Sequence, residues 1–146
     1  MNSIKKSFVE LKRYFDGEML FEWMEKLEHS IKSNPGILPE VLEIFENETQ
    51  DQWKILLAEI LAKFNCKEIV PFLKKMLRAE DRNGGMQAAI SLIYLENSSG
   101  IEFLKTLAQQ SEWHGWEIYD ELLEIQNDMA QKLAKEIRAL LPPPKL

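Results

Sequence analysis

Few side chains in this chain could carry chemistry unaided. The histidines are His29 and His114, and the only cysteine is Cys66. His29 follows Glu25 and Glu28, and His114 precedes Glu117 by three residues, spacings that allow side-chain contact on a helix. Neither fits a zinc pattern such as H-E-x-x-H, and a single cysteine leaves a poor ligand supply. Both histidines read as surface or capping residues, and no metal site is expected. A reactive thiol needs a low pKa, a nearby base and access. For Cys66, in the expected turn Phe64-Asn65-Cys66-Lys67, a helix start and Lys67 would lower the pKa only slightly. No G-x-x-x-x-G-K-[ST] or G-x-G-x-x-G run is present to cradle phosphates, and Gly84-Gly85 reads as the end of a loop. No catalytic residue and no cofactor site is therefore assigned.

The charge pattern is more informative. Between Lys105 and Lys132 lie Glu112, Glu117, Asp120, Glu121, Glu124 and Asp128 and no Lys or Arg. The segment SEWHGWEIYDELLEIQND sets these acids among Trp113, Trp116 and Tyr119. Aromatic anchors inside a charged rim are the makings of a protein-binding hot spot, and the acids would steer a basic partner. The candidate partner-binding residues are Trp113, Trp116, Glu117, Asp120, Glu121 and Glu124. The alternative is that Trp116 and Tyr119 are core and the acids a solvated face. A second acidic run, Glu40 to Asp51, holds five acids and no base. Basic residues collect at Lys5, Lys6, Lys12 and Arg13, and at Lys74, Lys75, Arg78 and Arg82. The second group lacks interleaved aromatics and borders Glu80 and Asp81, a weak basis for a nucleic-acid face.

With 18 basic and 24 acidic residues the net charge is −6, which argues against non-specific nucleic-acid binding. At 146 residues, 45% hydrophobic and 29% charged, the chain suits one domain spanning 1–146 with its own core. One cysteine rules out a disulfide framework. The opening MNSIKKSFVELKRYF has no apolar h-region and no small-residue cleavage site, so it does not read as a signal peptide. No apolar run approaches the ~18 residues of a membrane span. A cytoplasmic location, with no membrane partner, is the expectation.

These side chains must be positioned by helices, because the apolar period is helical almost throughout and no stretch alternates as a strand would. Breaks are expected at Phe15-Asp16-Gly17, Asn34-Pro35-Gly36, Asn47 to Asp51, Asn65-Cys66, Asp81 to Gly85, Asn97 to Gly100, Ser111 to Gly115 and Pro142 to Pro144. Ser99 and Glu102 match a capping box. A long last segment, Trp116 to Leu141, is expected to break near Asn127.

The helices repeat. Trp23, Trp53, Gly84 and Gly115 are spaced by 30, 31 and 31 residues. Leu27, Leu57, Ala88 and Tyr119 lie four further on, then Ile31, Leu61, Leu92 and Leu123, on the same helix face. Leu38, Val70 and Ile101 correspond in the intervening helices, with Pro39 and Pro71 early in theirs. A period near 31 with two helices per unit points to a helical-repeat array, with a plain helical bundle as the alternative. The segments KEIVPFLKKML and SGIEFLKTLA, each preceded by an Ala/Leu-rich helix, resemble HEAT-like repeats over about residues 18–125. The resemblance implies an all-α, right-handed α-α superhelix of about four helix pairs. The units are 18–34 with the preceding helix, 35–64, 66–96 and 98–126; a capping helix runs to 141 and a proline-rich tail covers 142–146. At one position the units carry Glu25, Ile55, Met86 and Glu117, and at another Glu28, Ala58, Ala89 and Asp120. Acidic outer units around apolar inner ones fit the polar ends of an array.

A small acidic array without catalytic motifs also resembles the all-helical immunity proteins of bacterial toxin–immunity systems, in the style of FDGEMLFEWMEKLEHSIKSNPGILPEVLEIFENET. That resemblance implies binding and neutralisation of a cognate toxin, often a basic nuclease, and no enzymatic activity. Its alternatives are a HEAT-like scaffold or adaptor, or a HEAT-like nucleic-acid enzyme such as a DNA-base glycosylase.

Overall fold

Asparagine, aspartate and serine set the rhythm of this chain, because each can fold its side chain back onto a free amide at a helix start. A computed structural model describes residues 3–143; Pro144, Lys145 and Leu146 of the proline-rich tail lie outside the described residues. Among those residues there are nine α-helices and no strand: α1 (Ser3–Arg13), α2 (Gly17–Ser33), α3 (Leu38–Asn47), α4 (Asp51–Lys63), α5 (Val70–Met76), α6 (Arg82–Tyr94), α7 (Ile101–Gln110), α8 (Glu112–Leu123) and α9 (Asp128–Leu140). The all-α expectation holds.

Six side-chain caps punctuate the helices. Asp16 accepts from the Glu18 amide, Asn34 from Gly36, Asp81 from Asn83, Asn97 from Ser99, Ser111 from His114 and Asn127 from Ala130. A short 3₁₀ turn precedes each of α3, α5 and α7: Pro35–Ile37, Lys67–Ile69 and Ser98–Gly100. Pro39 and Pro71 occupy the first turns of α3 and α5, where a missing amide hydrogen costs least. The residues before the second and third 3₁₀ segments, Asn65 and Glu96, both have positive φ, 60° and 54°. At the end of α6 the amide of Glu96 bonds Ile93 O and that of Asn97 bonds Leu92 O, both at 2.9 Å, a Schellman closure.

Three local expectations need correction. The Ser99–Glu102 capping box does not form: Ser99 lies inside the 3₁₀ turn, and Asn97 supplies the cap instead. Gly84 and Gly85 do not end a loop but sit buried in the first turn of α6. A side chain at Gly85 would meet the Phe103 ring at 2.5 Å, so the residue is small for packing, not for chain reversal. Gly115 is likewise inside α8, under Leu141, so the break there is confined to Ser111.

The chain divides into two compact units, Met1–Leu61 and Ala62–Leu146. In the first, an aromatic cluster joins Phe8 to Trp23 (5.4 Å between centroids) and to Trp53 (6.1 Å, edge-on), and Phe15 meets Trp53 edge-on at 5.5 Å. Trp23 Nε1 donates to Ser7 Oγ at 2.9 Å, which satisfies its polar edge. Leu27, Ile31, Val41, Ile44 and Phe45 complete this core. Glu48 is buried, and its carboxylate takes an ion pair from Lys12 and the Gln50 amide at 2.9 Å. Burial pushes its pKa up, but the Lys12 and backbone hydrogen bonds outweigh it and hold the carboxyl below its usual value.

In the second unit, α6 is buried on every side, from Met86 to Ile93 except Gln87, as its apolar run requires. The third 3₁₀ turn packs backbone to backbone on it: a Cβ on Gly100 would sit 2.8 Å from the Ala89 carbonyl oxygen. Leu104, Leu107, Ile118, Leu122, Leu133 and Ile137 close the core from α7, α8 and α9. The expected break near Asn127 is present. Asn127 caps α9 at 2.8 Å and also donates to Ile93 O at 2.9 Å, tying the α8–α9 corner to the end of α6.

Candidate functional site

All six candidate residues belong to α8 or its C-terminal cap, Glu124. Ser111 starts the helix by accepting from the His114 amide, and His114 Nδ1 lies 2.9 Å from the same Oγ. Its ring meets Trp113 edge-on at 5.0 Å. Ser111 is the cap, and His114, half-buried, supplies the amide it caps and sets its ring beside the cap hydroxyl. Gly115, Ile118 and Leu122 form the buried stripe of α8. The candidate residues must then occupy its remaining faces.

The structure divides them. Trp113 is 69% exposed, the most exposed large hydrophobic side chain among the described residues. Asp120, Glu121 and Glu124 are exposed with it. Steps of three and four along the helix put Trp113, Glu117, Asp120 and Glu124 on one stripe. Trp116, by contrast, is half-buried and packs against the core. It meets Tyr119 edge-on at 6.0 Å, and the Arg138 guanidinium of α9 lies 5.0 Å from its ring centroid. Trp116 thus anchors α8 to α9, and Trp113 alone is the free aromatic of the pair. The sequence grouped them because both lie in one acidic segment; only the packing of α9 separates them.

Glu117 is half-buried, and its Oε2 is enclosed with no hydrogen-bond partner among the described residues. One turn on, Glu121 is crowded. Partial desolvation first, then repulsion from Glu124 and more weakly from Glu117 and Asp120, raise its pKa; Lys63 pulls it back. Mutually repelling carboxylates are held beside an exposed indole. A basic side chain placed among the exposed Asp120, Glu121 and Glu124 would relieve the repulsion. The arrangement offers cation binding and aromatic contact; it brings no nucleophile and base together.

Elsewhere, His29 is exposed on α2, and Cys66 is half-buried with its thiol donating to Glu68 at 2.8 Å. That bond holds the Glu68 carboxyl below its usual pKa. Lys74, Lys75, Arg78 and Arg82 are exposed around the α5–α6 turn, where Asp81 serves as the α6 cap. No cluster of three or more His, Cys, Asp or Glu side chains could hold a metal ion among the described residues. No helix among them is long and apolar enough to cross a membrane. Sequence reasoning missed the groove between α8 and α9, whose lining comes from both helices and has no signature in either alone.

No protein-family model matches the chain, and no significant match was found among curated proteins or solved structures.

Proposed function

We propose that this chain is a protein-binding module whose α8 face engages a basic partner. The observation that carries the reading is the exposure of Trp113, at 69%, on the same helix as Glu121, whose pKa is raised by partial desolvation first and then by repulsion from Glu124 and, more weakly, Glu117 and Asp120. Such a face gains in two ways from a cationic partner: the indole is desolvated against it, and the repulsion among Glu117, Asp120, Glu121 and Glu124 is neutralised. The partner class that fits best is a basic, nuclease-type toxin domain, with this chain as its cytoplasmic immunity protein. In that role its carboxylates stand where substrate phosphates would.

The arrangement proposed for the helices is a right-handed HEAT-like array. Two features support it. The 3₁₀-plus-helix block restarts at Pro35, Lys67 and Ser98, spacings of 32 and 31. The inner residues Ile55, Met86, Ala58 and Ala89 are buried, whereas their acidic counterparts Glu25, Glu28, Glu117 and Asp120 are exposed or half-buried.

The test is affinity capture from the native host, run beside a variant with Glu117, Asp120, Glu121 and Glu124 changed to Lys. Capture of a basic toxin domain by the wild type and its loss in the variant is the expected result. Equal capture by both removes α8 as the site. Retention on DNA without a protein partner overturns the reading in favour of a nucleic-acid activity.

A further inference from the structure

Exposed large apolar side chains are unevenly placed among the described residues. Apart from Trp113, they fall between Val9 and Phe21 near the start and at Leu123 and Leu140 near the end. Leu123, 59% exposed, edges the α8–α9 groove, a cavity of about 480 Å³ walled by Tyr119, Leu122, Ile125 and Ala134. Lys135 and Arg138 are the only charged residues lining it. On a chain of net charge −6, this is an apolar groove with a cationic rim. On α2, Phe21 is 65% exposed, and Glu18, Glu22 and Glu25 around it are exposed too. Glu18 and Glu25 lie one turn before and after it. This is an aromatic knob with an anionic rim.

We infer that the α8–α9 groove of one copy of this chain receives the Phe21 stripe of α2 from a second copy. Apolar surface meets apolar surface, and Glu18, Glu22 and Glu25 come opposite Lys135 and Arg138. The contact joins two different patches, so it is heterologous: each added copy brings one knob and one groove for further copies. One aromatic knob buries roughly 150–250 Å², small beside the roughly 1,200–2,000 Å² of stable interfaces, so assembly belongs to high protein concentration and weakens with salt. The inference is independent of the basic partner proposed for the α8 stripe, because neither Trp113 nor the α8 acids line the groove.

Sedimentation equilibrium over a concentration series up to the millimolar range tests it. The wild-type average mass is expected to rise steadily above 17.1 kDa. Phe21→Asp and Leu123→Asp, both at exposed positions, are each expected to stay monomeric, with helical content and unfolding transition matching wild type. An equimolar mixture of the two is expected to stop at twice 17.1 kDa, since one supplies the intact groove and the other the intact knob. If either variant misfolds, the charge variants Glu25→Lys and Lys135→Glu replace the pair, each weakening self-association and restoring it when mixed. A wild type that stays monomeric throughout overturns the inference. So does a variant that associates like wild type, or a mixture that stays monomeric. A groove that binds an unrelated acidic amphipathic peptide while the chain remains monomeric assigns it to another protein, and also overturns it.

Discussion

Replacing Asn127 by Ala removes two bonds that meet in one side chain. Its Oδ1 caps α9 at the Ala130 amide, and its Nδ2 donates to Ile93 O, 34 residues away. The cap contributes about 1 kcal/mol. The second bond contributes about 1 kcal/mol net, not the larger cost of an abandoned buried carbonyl. The reason is that Ile93 O keeps the Glu96 amide at 2.9 Å. Asn127→Ala should therefore cost about 2 kcal/mol, and Asn127→Ser, which keeps a cap acceptor without reaching Ile93, about half of that. The assay is urea unfolding followed by tryptophan fluorescence, with Trp116 reporting on the α8–α9 pair. With a slope of roughly 2 kcal/mol per molar urea, the midpoint should fall by about 1 M for Ala and about half that for Ser. A fall below about 0.3 M for Ala, or equal falls for Ala and Ser, refutes the claim that this side chain fastens the α8–α9 corner to α6.

Other perturbations follow from the same structure. Lys12→Met leaves the buried Glu48 carboxylate with its backbone amides alone, and should cost about 3 kcal/mol at pH 7. Because Glu48 has a depressed folded pKa, its contribution is present at neutral pH and is lost as pH falls from the ordinary glutamate value down through the depressed one; the gap between variant and wild type should close on acidification, measured by unfolding at stepped pH. Glu96→Gly should stabilise by about 1 kcal/mol, since glycine accepts the positive φ without a Cβ penalty, and thermal unfolding checks it. Cys66→Asn should gain about 0.5–1 kcal/mol in the same assay, because Asn34 and Asn97 cap the matching 3₁₀ turns and Cys66 does not. Glu121 has a raised folded pKa, so its ionisation opposes folding above that pKa and the opposition disappears as pH falls; Glu121→Gln should flatten the pH dependence of stability just above the ordinary glutamate range, and an unchanged profile contradicts the crowding.

Local physics was legible in the residues. Asn34, Asp16, Ser111 and Asn127 mark helix starts by chemistry that acts within three residues, so their positions were readable. The apolar inner positions of α4 and α6 were readable too: Ile55, Ala58, Met86 and Ala89 stand where the outer units carry acids, and all four are buried. What was not readable depends on partners far along the chain. Lys12 and Glu48 are 36 residues apart, and nothing local distinguishes Glu48 from the exposed Glu46 beside it. Gly85 and Gly115 looked like turns because glycine permits turns; the residues that actually require them lie elsewhere in the chain, Phe103 on α7 and Leu141 just past α9. At the candidate site, α8 and its acids were visible as a stripe. That Trp113 stays in solvent while Trp116 turns inward was decided by Arg138 and the packing of α9.

The central claim is that α8 is the binding face, with Trp113 its anchor. The most direct measurement is the affinity of the captured basic partner for wild type, Trp113→Ala and Trp116→Ala, by calorimetry at fixed salt. Trp113→Ala should weaken binding by about 30-fold, the equivalent of about 2 kcal/mol for a hot-spot aromatic. Trp116→Ala should instead lower the stability of the free protein. An affinity unchanged within about two-fold for Trp113→Ala, with the partner still bound, contradicts the account.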